Sequence, residues 1–175
     1  MNLRWNVTSC LLLAVAALPP AAGAEMHPCS LLTQGELGAA GVGEVSATVE
    51  NFMPIPEGAA KGATMGICMW KVGETMISLG TVSAPQGADR AFAMAKLEEV
   101  YSELRSKGWK EERRELGGAR CSAMTPPPSE QDSPHMSACL AEARGMLISV
   151  TALGRSVLAI EKVKTLLDAA SARLP

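Results

Sequence analysis

Aromatic side chains are scarce in this 175-residue chain: two Phe, one Tyr and three Trp, 3% of the whole. Any core must therefore be aliphatic, with ten methionines to fill irregular gaps. Histidine is scarcer still, His27 and His135 being the two present, so nucleophile, base and orienting group have little to be drawn from. No GxSxG, HExxH, phosphate-loop or dinucleotide fingerprint occurs. The formal charge is −2, and the one adjacent basic pair, Arg113-Arg114, is diluted by Glu111, Glu112 and Glu115; a nucleic-acid partner is excluded on that ground. A CxxC spacing, the usual sign of redox or metal-binding thiols, is missing as well.

Long apolar runs are limited to Cys10 to Leu18, broken by Pro19-Pro20. That is about half of the roughly 20 residues a bilayer span needs. With Arg4 before it and Ala22-Gly23-Ala24 after it, the run predicts a cleaved secretory signal over 1–24. What remains, 25–175, is one domain's length, without stable membrane insertion, and is expected in the periplasm, or alternatively outside the cell.

Cleavage removes Cys10 and leaves Cys29, Cys68, Cys121 and Cys139. An even count in an oxidising compartment predicts two disulfides, with three possible pairings. Cys121 and Cys139 end two short apolar segments around the turn TPPPSEQDSP (125–134), which favours a bridge between neighbouring strands. Cys29 is then left for Cys68.

The pattern along the chain predicts α+β structure. Thr33 and Glu36 have capping-box spacing at the start of a short helix, 34–40, which Gly41 and Gly43 end. Val45, Ala47 and Val49 alternate with polar residues as a half-buried strand. The stretch TMGICMWKVGETMISLGTV (64–82) predicts a hairpin turning at Val72-Gly73-Glu74, with Cys68, Trp70 and Val72 on one face and Ile67 and Met69 on the other. Ala91, Met94, Leu97, Tyr101 and Leu104 mark a helix over 85–107, followed by the charged edge strand WKEERREL (109–116). A strand over 119–124, a second hairpin about Arg144-Gly145 and a last helix over 156–174 complete the chain.

Cys68 to Ile77 has the same spacing as Cys139 to Ile148, and Ile77-Ser78-Leu79 echoes Ile148-Ser149-Val150. This suggests a repeated β-β-α unit: an antiparallel sheet covered by two longer helices, plus the short N-terminal helix. The opening Pro28-Cys29-Ser30-Leu31-Leu32-Thr33, with Cys68-Met69-Trp70 later, resembles the small exported bacterial proteins and lipoproteins that begin Cys-Ser-Leu-Leu-Thr and carry a later Cys-x-Trp. The resemblance covers 28 to about 80 and implies a PsbP-like α/β sandwich. It offers no catalytic residues to carry over, and no cofactor is expected of the chain.

Function follows by elimination as partner or ligand binding without catalysis. The expected contact is the proline- and glycine-rich segment 51–63, which carries Phe52, Met53 and Ile55. A second reading is copper(I) binding by Met26, His27, His135 and Met136, since thioether and imidazole suit that ion. An enzyme is the third, with no residue set to carry it.

Overall fold

The computed structural model describes residues 27–40, 43–54, 63–83 and 90–175, with 90–97 described through the backbone alone. The signal segment 1–24 and Ile55 lie outside these residues.

A 3-10 turn, Pro28–Leu31, leads into the helix α1, Gln34–Ala39. Thr33 caps it in both directions: its N–H donates to Glu36 Oε2 at 2.8 Å and its hydroxyl accepts from the Glu36 N–H at 3.3 Å. Two orphan donors of the first turn are thereby satisfied. Six residues with two glycines make a weak helix in isolation, and tertiary contacts hold it: Leu37 is fully buried, and Arg173 reaches from the far end of the chain to Glu36 at 2.9 Å.

Seven strands follow: β1 (Val45–Pro54), β2 (Thr64–Val72), β3 (Thr75–Ser83), β4 (Lys110–Leu116), β5 (Ala119–Thr125), β6 (His135–Ala143) and β7 (Met146–Gly154). All pairings are antiparallel, in the order β1-β2-β3-β7-β6-β5-β4. Helix α2 (Arg90–Ser106) joins β3 to β4, and α3 (Ile160–Ala172) follows β7.

The core lies on one face of the sheet. Trp70, Val72, Ile77, Leu79, Ile148 and Val150 meet Ile160, Val163, Leu166 and Leu167 of α3, nearly all of them inaccessible to solvent. Each large side chain so buried is worth about 1.5–3 kcal/mol. Disulfides close this layer: Cys29–Cys68 pins the 3-10 turn to β2, and Cys121–Cys139 joins directly opposed residues of β5 and β6.

The expected arrangement, two longer helices covering the sheet as a repeated β-β-α unit, is overturned. Strand dominates, and no two long helices pack on the sheet. The strands do repeat: Cys68 lies opposite Leu79 as Cys139 lies opposite Val150, and Met53 faces Met65 as Met124 faces Met136. The helices do not follow them. α3 is strongly amphipathic and spreads over the core face, whereas α2 is weakly so and sends Tyr101 to Ser122 on the other face. An apolar stripe of every third or fourth residue needs matching polar positions between to drive packing, and α2 lacks that contrast.

The segment 51–63 also departs from expectation, because Asn51 to Pro54 continue β1. Pro54 is tolerated as the last residue of an edge strand, where no ladder donor is lost. The opposite edge, β4, is lined with Arg and Glu, which discourages pairing with a further strand.

Candidate groove on the second face of the sheet

Strand alternation sends neighbouring residues to opposite faces. On β3 and β7 the large members, Ile77, Leu79, Ile148 and Val150, take the core face, so Ser78, Gly80, Ser149 and Thr151 fall on the other. Small side chains there leave a groove of about 280 Å³. Met65 and Ile67 of β2 with Val82 and Leu147 wall its apolar end, while Arg120 and Ser122 of β5 and Tyr101 of α2 line the polar end. A methyl added at Gly80 would stand 2.9 Å from Ser149 Oγ, so glycine keeps the floor low.

Tyr101 is 2% exposed, and Ser122 Oγ donates to its hydroxyl at 2.7 Å. Burial is the main cause that pushes the phenol's pKa upward, so it stays neutral. Beside it, Glu98 is the hub of a charged wall. Arg105 Nη2 donates to it at 2.6 Å and Arg113 Nη2 at 2.9 Å, and Arg120 Nη2 bonds the same oxygen as Arg113. Glu111 serves as second carboxylate to Arg105 and Arg113. The Arg105 hydrogen bond foremost, opposed in part by desolvation and helped by Arg120 and Arg113, holds the Glu98 carboxyl at about 2.

The residues singled out from sequence do not converge. Phe52 is half-buried against its own protein, its ring edge-on to His27 with centroids 5.8 Å apart. Met53 points to the opposite face of β1, facing Met65. Of the copper set, Met26 is outside the described residues, and His27 bonds Glu50 at 3.3 Å beside β1. His135 opens β6, with three strands between it and β1, and as its chain neighbour on the strand Met136 turns to the other face. The His135 Nδ1 is buried without a hydrogen-bond partner. Among the described residues no group of three or more His, Cys, Asp or Glu could hold a metal ion, and no helix is long and apolar enough to cross a membrane.

Sequence reasoning passed over the groove, although it had a local sign: Ser78-x-Gly80 and Ser149-x-Thr151 interrupt otherwise aliphatic strands at one parity. Arg120, Ser122 and Tyr101 had no such sign, since only the topology places β5, beyond β6, and α2 at the end of the groove that β3 and β7 floor.

No protein-family model and no curated protein matches the chain. In three dimensions it is similar to the extracellular domain of PknH from Mycobacterium tuberculosis, with a TM-score of 0.56 and 12% identity over 83% of this chain and 95% of that one. At that identity the likeness is one of fold.

Proposed function

We propose that this chain is an exported binding domain without catalytic activity, and that its ligand lies in the groove between α2 and the second face of the sheet. The observation that carries the reading is the lining itself: a floor of small and hydroxyl side chains between an apolar wall and an arginine, on an otherwise aliphatic sheet. Strands that had only to pack would carry larger residues at Ser78, Gly80 and Ser149. Concave sites with apolar walls and a few placed polar groups are the ordinary form of small-molecule pockets. Among the described lining residues there is no histidine or carboxylate, so the serines have no base there to activate them. Export is supported by the signal-like N-terminus, by two disulfides and by the fold shared with an extracellular domain.

The test is a fragment screen on the oxidised protein followed by amide chemical shifts. Binders are expected to move the amides of Ser78, Gly80, Ser149 and Leu147, and Ser149→Leu, which fills the groove, is expected to abolish those shifts while the melting temperature holds. Shifts confined to the α3 face, or a hydrolytic turnover in a substrate panel, would overturn the proposal.

A further inference from the structure

The groove has a direction. Ile67 stands opposite Gly80, Gly80 opposite Ser149, Ser149 opposite Leu140, and Leu140 opposite Arg120. These five residues form one row straight across the sheet. At about 4.8 Å per strand step the row is roughly 19 Å long. A ligand following it lies across the strands, over the low point that Gly80 and Ser149 create.

The two ends differ in chemistry. Met65, Ile67 and Val82 offer only carbon and sulfur, and Arg120 offers N–H donors beside the Ser122–Tyr101 hydroxyl pair. Among the described residues no acidic side chain lines the groove itself, so an ammonium head would meet the Arg120 guanidinium with no carboxylate of the lining to receive it. Arg120 itself is not saturated. Its Nη2 bonds Glu98, a carboxylate that Arg105 and Arg113 also share, and Glu115, opposite it on β4, makes no hydrogen bond to it. A guanidinium carries five N–H donors, which leaves donors for a second anion. Its side chain is 20% exposed, and an ion pair in so sheltered a place is stronger than one at the open surface. The volume of about 280 Å³ holds about nine or more heavy atoms at roughly 30 Å³ each.

We infer that the ligand is a single-chain amphiphile with an anionic head, its carboxylate or phosphate at Arg120 and its alkyl chain running along the row toward the apolar end at Met65 and Ile67. This rests on the binding reading above and narrows it to one chemical class.

Octanoate, octyl phosphate, 1-octanol and octyltrimethylammonium, each below its micellar concentration, are titrated calorimetrically into the oxidised protein. At least one of the two anions is expected to bind about tenfold or more tighter than octanol, which is one good charged hydrogen bond in affinity terms, and octyltrimethylammonium is expected not to bind. The two anions tell a carboxylate head from a phosphate head. Arg120→Gln is expected to remove the preference for the anion while leaving octanol affinity unchanged, with Arg120→Lys intermediate; Ser149→Leu is expected to abolish all binding. Octanol binding as tightly as both anions, or an anion preference that survives Arg120→Gln, overturns the inference. So does the absence of binding by all four, a result that leaves the groove reading to be judged separately by the fragment screen. The comparison among ligands uses the unaltered protein, so it stands even where a variant fails to fold.

Discussion

Leu79 and Val150 lie directly opposite each other in the β3–β7 ladder, both fully buried on the face that α3 covers. Their chain neighbours Ser78, Gly80, Ser149 and Thr151 point the other way and form the floor of the groove. One pair of central strands thus serves stability with one parity and a cavity with the other, and a shift of register by one residue would exchange the two.

Substitutions at adjacent positions should therefore have unequal effects. Leu79→Ala removes fully buried methyl groups and is expected to cost about 2–5 kcal/mol. Ser78→Ala, one residue earlier on the half-open face, is expected to stay within roughly 0.5 kcal/mol. Chemical denaturation of the two variants measures both, and equal losses would show that the groove face is packed as tightly as the core.

The covalent framework gives a second expectation. Alkylation of unreduced, denatured protein after signal removal should label no cysteine, and peptide mapping should recover Cys29 with Cys68 and Cys121 with Cys139. The longer loop, with a sequence separation of 39, should contribute roughly 4 kcal/mol and the one of 18 roughly 3 kcal/mol, by restriction of the unfolded chain. Cys29→Ser with Cys68→Ser should accordingly lower stability at least as much as the other pair. The reverse order would point to native-state strain outweighing loop entropy.

Tyr101 anchors α2 to the second face through one buried hydrogen bond. Tyr101→Phe keeps the ring and strands the Ser122 hydroxyl, at an expected cost of about 1–3 kcal/mol. Ser122→Ala together with Tyr101→Phe removes both partners and should recover part of that loss. A double variant as unstable as the sum of the singles would show that the two hydroxyls are not coupled.

Local pattern made much of this chain legible. The capping box at Thr33 and Glu36, the hairpins turning at Gly73-Glu74 and Arg144-Gly145, and the charged strand β4 are each specified by residues within a few positions. What failed was the placing of helices on faces. Periodicity locates a helix, but Tyr101 finds Ser122 only because β4 and β5 lie beyond β7 and β6 in the sheet. The groove was lost for the same reason: the hydroxyl positions on β3 and β7 are visible as alternation, while Arg120 arrives from the far side of the sheet. At 51–63 proline is an incomplete sign of loop, since Pro54 at the end of an edge strand costs the ladder nothing.

Acid should weaken the protein through its carboxylates, Glu98 first. The Glu98 carboxyl titrates near 4.5 when unpaired and at about 2 in the folded chain, because Arg105, Arg120 and Arg113 favour its charged form. A depressed folded-state value means that the unfolded chain binds the proton more readily. The stabilisation is then fully present above about pH 4.5 and is lost as the pH falls toward 2. Glu36, held below its ordinary value chiefly by Arg173, adds to the same slope at the junction of α1 with the end of the chain. Glu98 is 38% exposed, so solvent and salt screen the effect, which should shrink further in 0.5 M NaCl. Melting temperatures followed from pH 6 to pH 2.5 should show a steeper fall for the wild type than for Glu98→Gln, the two curves converging at the acid end. Parallel curves across that range would show that Glu98 is no better paired when folded than when unfolded, and would remove the charged wall from the account of how α2 is held beside the groove.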